Sequence, residues 1–123
     1  MPASGGLKLA VPERPVVYVL GDEPSMYWVK ALWSASQYET AVTFVVVNNR
    51  GFSILKAFRD VIGAGEEVPR TDLPGVNLAG IARDLGREGE AAEEAKHLRD
   101  ALKRTLSAGR PYLEDVWPWS VRC

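Results

Sequence analysis

Two near-continuous runs of β-branched and aromatic residues constrain the fold of this chain most strongly. They span residues 16–20 and Val42–Val47, and such runs predict strands that are buried on both faces. Between them, residues 25–38 are predicted as one helix that is apolar on most of its sides. Two strands joined by a crossover helix within about 30 residues form a parallel βαβ unit with a right-handed crossover.

The remaining segments predict further elements of an α/β domain. Helices are predicted over residues 2–10, 52–62, 77–85 and 91–107, and a third strand over Tyr112–Val116. The first helix is a weak prediction because Gly5 and Gly6 lie within it, whereas Asn77 is a suitable N-cap for the third. Residues 86–90 are polar and predict no strand, and residues 63–75 form a loop rich in Gly, Pro and acidic residues.

Length and charge limit the classes of function. A chain of 123 residues forms one domain, residues 1–123, and its net charge of −1 argues against nucleic acid or an anionic membrane as the main partner. No apolar run reaches the roughly 20 residues of a membrane span. The single Cys123 forms no internal disulfide, which fits a cytoplasmic location, and one Cys with one His does not predict a structural zinc site.

Polar residues follow both predicted strands. Asp22 comes after the first strand, and Asn48 and Asn49 come after the second. Because the carboxyl ends of parallel strands meet at one sheet edge, these side chains can converge on one cation. Carboxylate, amide and backbone oxygens, including the Gly51 carbonyl, suit Mg²⁺ or Ca²⁺. The alternative interpretation is that Asp22 and Asn49 cap helices and turns.

The same residues resemble the two-part signature of thiamine-diphosphate enzymes. In that family Gly-Asp-Gly opens the motif and Asn-Asn closes it, and here Gly21-Asp22 precedes Asn48-Asn49 by about the same spacing. The segments ALWSASQY, TFVVVNNRGF, LKAF and LSAGRPYLEDV are similar to stretches of benzoylformate decarboxylase and acetolactate synthase. The resemblance implies an α/β three-layer sandwich with a mostly parallel sheet that binds thiamine diphosphate, incomplete at its N-terminal side.

The resemblance also implies roles for individual residues. Asp22, the Asn49 side chain and the Gly51 carbonyl match the magnesium ligands that hold the cofactor diphosphate. The residues implied around the cofactor are Gly21, Asp22, Glu23, Pro24, Asn49, Gly51 and Phe52. Ile54, Leu55 and Phe58 match positions that line the substrate pocket of the decarboxylases. The alternative for these three is core packing of one helix face.

Glu23 and Pro24 depart from the family pattern, which has small residues at these positions. Pro24 removes one N–H donor, and losing a charge-assisted hydrogen bond costs roughly 1.5–3 kcal/mol. Glu23 adds a charge that repels diphosphate by about 1 kcal/mol in water and about 4 kcal/mol at an effective dielectric of 20. Both changes predict weakened binding of thiamine diphosphate and Mg²⁺, unless Glu23 turns outward or joins the metal shell.

Family members carry a separate domain that binds the aminopyrimidine ring and supplies the activating Glu. This chain resembles only the C-terminal part of the cofactor-binding domain, so it is not expected to be active alone. The implied chemistry is 2-keto acid decarboxylation or carboligation, with the missing domain on a separate subunit. The alternative is a non-catalytic remnant that acts as an oligomerisation module. A homo-oligomer is expected, with the helix around Trp28 and Trp33 as the contact.

Overall fold

The computed structural model describes residues 2–63 and 71–118 and contains a four-stranded parallel sheet with helices on both faces. Residues 64–70 of the predicted loop, Trp119 and Cys123 lie outside the described residues. The strands are β1 (Val16–Gly21), β2 (Val42–Val47), β3 (Glu88–Ala92) and β4 (Tyr112–Val116), in the spatial order β1-β2-β4-β3. The helices are α1 (Pro2–Ala10), α2 (Asp22–Tyr27), α3 (Lys30–Gln37), α4 (Ser53–Ile62), α5 (Leu78–Asp84) and α6 (Ala95–Thr105).

The predicted parallel pairing of the first two strands is confirmed. Val16 lies opposite Val42, and Gly21 lies opposite Val47 at the carboxyl end of the pair. This register brings the residues that follow both strands, Asp22 and Asn48, to the same edge of the sheet. The edge that carries the candidate site is therefore set by strand register.

The prediction that both strands are buried on both faces is correct for β2 and wrong for β1. Residues 42–46 are all buried, whereas Val17 and Val19 of β1 are 42% and 63% exposed. Among the described residues β1 is an edge strand, and no described helix covers its second face. A run of valines can thus belong to a half-covered edge strand as well as to a central one.

The single helix predicted over residues 25–38 is two helices. α2 ends at Tyr27 and α3 begins at Lys30. At the break, the Trp28 N–H donates to the Ser25 carbonyl at 3.2 Å and the Ala31 N–H donates to the Trp28 carbonyl at 2.8 Å. These are i to i+3 bonds of a tighter turn, and apolar periodicity does not reveal them because both helices present apolar residues.

The polar segment after Leu85 forms β3, which corrects the prediction that no strand occurs over residues 86–90. β3 pairs parallel with β4 at the other edge, where Glu88 and Glu90 point to water. Gly89 is buried against α5, and this position requires glycine because a Cβ there would overlap the Ala79 carbonyl. β4 is consequently the fourth strand, and α6 begins at Ala95 because residues 91–92 belong to β3.

Two apolar clusters hold the layers together. Val16, Phe44, Val46, Leu78 and Leu113 are buried on the face covered by α3 and α5, where α1 also contacts β1 and β2. On the other face, α6 packs Leu98 and Leu102 against Val45, Ala92 and Val116. The predicted three-layer α/β sandwich is confirmed. Within the described ranges, no helix is both long enough and apolar enough to span a bilayer.

Candidate functional site

Asp22 and Asn49 converge on the backbone N–H of Gly51. Asp22 begins α2 directly after β1 and is only 3% exposed. Its Oδ2 accepts the Gly51 N–H at 2.9 Å, and Asn49 Oδ1 accepts the same N–H at 3.2 Å. Two loops that are distant in the chain thus present a carboxylate and an amide oxygen at one point of the sheet edge.

The donor set at this point fits a hard cation. Asp22 Oδ1 has no hydrogen-bond partner within the described part of the chain, so one carboxylate oxygen stays available. Asn49 Nδ2 donates to Ser53 Oγ at 2.7 Å, which directs the amide oxygen towards Gly51. The Gly51 carbonyl, the third ligand that the resemblance implies, accepts the Ser53 N–H at 3.0 Å, and carboxylate, amide and backbone oxygens are the ligands that Mg²⁺ prefers.

Gly51 is held against a second segment that leaves no room for a side chain. A Cβ at this position would lie 2.6 Å from the Thr71 carbonyl oxygen. The Phe52 N–H donates to that same carbonyl at 2.8 Å, and the Leu73 N–H donates to the Arg50 carbonyl at 2.8 Å. The loop after β2 is therefore fixed by backbone pairing on both sides of Gly51.

A second polar network lies behind the first and involves Asn48. Asn48 Nδ2 donates to Asp115 Oδ1 at 2.9 Å, and the Arg50 N–H donates to Asn48 Oδ1 at 3.1 Å. Asp115 is almost completely buried, and this burial raises the pKa of its carboxyl while the bond from Asn48 lowers it. The adjacent asparagines thus have different contacts: Asn49 faces Gly51 and Asn48 faces Asp115.

Sequence reasoning missed Asp115. Its only sequence signal was an acidic residue inside a predicted buried strand, which requires a partner. Asp115 and Trp117 also line a cleft of about 920 Å³, together with Arg50. The Arg50 guanidinium lies 3.9 Å from the centroid of the Trp117 ring, a cation–π contact.

Glu23 and Pro24 occupy the first turn of α2, which begins at Asp22, three residues before the start of the predicted helix. Glu23 is half-buried and Pro24 is exposed. Gly21 precedes them as the N-cap residue, and a Cβ on it would come within 3.3 Å of Pro24 Cδ. The first turn of α2 therefore carries two acidic side chains and lacks the N–H of residue 24.

The implied substrate-pocket residues lie on an exposed helix face. Ile54, Leu55 and Phe58 are 60%, 46% and 56% exposed, and no residue of α4 is buried. The alternative of core packing is therefore wrong within the described residues. Val61 and Ile62 extend this apolar stripe along α4. Phe52, also implied near the cofactor, precedes α4 as its N-cap residue.

Comparison with protein families matches residues 1–116 to the model of the thiamine pyrophosphate enzyme C-terminal TPP binding domain. The chain is 37% identical to a benzoylformate decarboxylase of Pseudomonas aeruginosa over 116 residues, which cover 94% of this chain and 22% of that protein. It is 40% identical to the large subunit of acetolactate synthase isozyme 3 of Escherichia coli over 110 residues, which cover 89% and 19% of the two chains.

Solved structures agree with the sequence matches. A thiamine diphosphate-dependent 4-hydroxybenzoylformate decarboxylase of Rhodococcus jostii RHA1 superposes with a TM-score of 0.86 at 33% identity. The superposition covers 95% of this chain and 22% of that structure. The chain therefore spans about a fifth of the length of the relatives that it matches.

Proposed function

Because the chain belongs to the family of C-terminal thiamine-pyrophosphate-binding domains of thiamine pyrophosphate enzymes, we propose that it holds the cofactor diphosphate through Mg²⁺. It would do so as one portion of a 2-keto acid decarboxylase or carboligase of the benzoylformate decarboxylase type. The observation that carries this proposal is the convergence of Asp22 and Asn49 on Gly51, where Asp22 Oδ1 accepts no hydrogen bond from the residues that the structure describes.

Each proposed ligand has a distinct role. Asp22 supplies the negative charge, while the Asn49 amide oxygen and the Gly51 carbonyl complete the oxygen set without adding charge. The Ser53 hydroxyl orients the Asn49 amide, and the Thr71 segment fixes Gly51. When bound, thiamine diphosphate supplies the electron sink for the decarboxylation of a 2-keto acid.

The exposed stripe of α4 supports the proposal of an apolar substrate pocket. Ile54, Leu55 and Phe58 form one wall, and their exposure in this chain means that the opposite wall must come from elsewhere. Such a wall favours an aromatic or branched 2-keto acid over a small polar one. We propose that a separate subunit carrying the pyrimidine-binding domain completes the pocket and supplies the activating Glu.

A non-catalytic interaction module is the second candidate, and Glu23 and Pro24 favour it. At the first turn of α2, Glu23 would weaken diphosphate binding by its negative charge and Pro24 by the loss of one N–H. The uncovered valines of β1 and the exposed Trp28 and Trp33 offer apolar surface for association. In this candidate the fold is kept for pairing with a second copy or a related subunit.

Calorimetric titration of thiamine diphosphate and Mg²⁺ into the 123-residue chain separates the two candidates. Saturable binding that requires Mg²⁺ and disappears in Asp22→Ala supports the cofactor site. A matched control is Asp84→Ala, which removes a carboxylate at the end of α5. If neither the native chain nor the Glu23→Gly, Pro24→Ser variant binds the cofactor, the interaction module is the better conclusion.

A further inference from the structure

A buried carboxyl group lies in the centre of the sheet. Glu114, the third residue of β4, is completely buried, and neither of its carboxylate oxygens has a hydrogen-bond partner within residues 2–63 and 71–118. The Tyr112 hydroxyl, on the same face of β4, is also buried and makes no hydrogen bond of normal geometry to the described residues. Such a carboxyl group strongly disfavours its charged form.

The groups that face Glu114 come from three elements. Glu90 of β3 lies beside it in register, Tyr112 precedes it in β4, and Arg104 of α6 reaches the same cluster. Val45 of β2, on its other side, is apolar. Arg104 also pairs with Glu90 at 2.6 Å, and both of these side chains are about half exposed. Glu88, at the same edge, pairs with Arg110.

These surroundings place the titration of Glu114 near neutrality. Burial, and then the charge of Glu90, raise the pKa of Glu114 from 4.5 to about 7, and the Arg104 guanidinium opposes them. Exposure of Glu114 to water would lower the pKa of its carboxyl group towards the ordinary value. Proton release from Glu114 is therefore coupled to its exposure.

The helix that covers this face is lightly attached. Only Ala101 and Thr105 of α6 are fully buried, while Leu98 and Leu102 are partly buried against Val45, Ala92 and Val116. The exposed Arg104–Glu90 pair contributes little to the attachment. Elements with few buried apolar contacts open locally, and α6 is the helix that packs over Val45, Ala92 and Val116 on the face of Glu114.

We propose that the proton on Glu114 controls the docking of α6 on the sheet. With the proton present, the neutral carboxyl group is tolerated and α6 stays closed. Without it, α6 separates from β3 and β4 more often, which brings the carboxylate to water and exposes Val45, Ala92 and Val116. The proposed docking of α6 is independent of the proposed cofactor site, which lies at the carboxyl edge of the sheet around Gly51.

Hydrogen exchange of the α6 and β3 amides between pH 5 and pH 8 tests the proposal. After correction for intrinsic exchange rates, the opening constant should rise about fifty- to a hundredfold and level off above pH 7. Amides of α3 report global unfolding, which also exposes Glu114, so their opening constants should rise with pH as well but stay well below those of α6 and β3. Glu114→Gln, a neutral variant of the same size, should remove the rise, and so should Glu114→Leu.

Direct titration of Glu114 gives a second measurement. The carboxyl carbon of Glu114, followed by NMR in the native chain, should titrate near pH 7, and Glu90→Gln should move its midpoint to lower pH. A midpoint near 4.5 would overturn the proposal. An equal pH dependence of α6 opening in the native chain and in Glu114→Gln would overturn it as well.

Discussion

The Asp22 carboxylate and the Gly51 backbone N–H, 29 residues apart in the chain, are joined by a 2.9 Å hydrogen bond. This bond connects the loop after β1 to the loop after β2 and brings the two halves of the proposed metal site together. Parallel pairing of β1 and β2 makes it possible, because Gly21 and Val47 end the two strands side by side.

Gly51→Ala should destabilise the domain by about 1–3 kcal/mol, as overpacking does. The new methyl group would lie 2.6 Å from the Thr71 carbonyl and would displace one of the two paired segments. Gly5→Ala is the control, because nothing lies within 4 Å of a Cβ at this position of α1. That change should stabilise by roughly 0.5–1 kcal/mol. Urea denaturation measures both, and equal stabilities of the two variants would contradict the prediction.

Asn48→Ala should cost about 1–3 kcal/mol, because it removes a hydrogen bond to the buried Asp115 carboxyl. The pKa of Asp115, already raised by burial, should rise further. A raised carboxyl pKa destabilises the fold as pH rises above the unfolded value. The loss in Asn48→Ala should therefore be larger at pH 7 than at pH 4.

Asn49→Ala is the comparison variant for this pH series. Its side chain bonds to Gly51 and Ser53 and makes no bond to Asp115. It should lower the affinity for Mg²⁺ and thiamine diphosphate and leave the pH dependence of unfolding unchanged. Thermal melts from pH 4 to pH 7 measure this, and identical profiles for the two asparagine variants would refute the assignment of separate roles.

The native chain should bind thiamine diphosphate and Mg²⁺ weakly, and Glu23→Gly with Pro24→Ser should tighten binding at least a hundredfold, about 2.7 kcal/mol. The double change restores one N–H and removes the repelling charge. Adding Asp22→Ala should abolish the gain, because the metal carries the diphosphate. None of these proteins should decarboxylate a 2-keto acid alone. Tight binding by the native chain, measured calorimetrically, would show that Glu23 and Pro24 do not impair the site.

The chain should form a homodimer or a larger oligomer, because Trp28 and Trp33 are both about half exposed. Changing both to Glu should shift the chain towards the monomer in light scattering. His97→Glu, on the exposed side of α6, should leave the mass unchanged. A monodisperse monomer of the native chain at high concentration would contradict the prediction.

Local sequence patterns were sufficient to predict the βαβ unit and the polar residues at the carboxyl ends of its strands. The valine-rich run of β2 corresponds to a strand that is buried on both faces, whereas the similar run of β1 forms a half-covered edge strand. Asp22 and Asn49 could be placed together because parallel strands align their carboxyl ends, and Asn77 was correctly predicted as an N-cap, accepting the Gly80 N–H at 2.8 Å.

Contacts between segments that are distant in the chain determine the features that local sequence patterns did not predict. β3 forms from a polar segment because its backbone pairs with β4 and its glutamates lie at an exposed edge, and periodicity does not report pairing. The separate roles of Asn48 and Asn49 depend on Asp115, which is 67 residues from Asn48 along the chain. The burial of Glu114 depends on α6 covering β4. The hydrophobic pattern of a segment indicates which of its residues are to be buried. The segments that bury them are determined only by the packing of the layers.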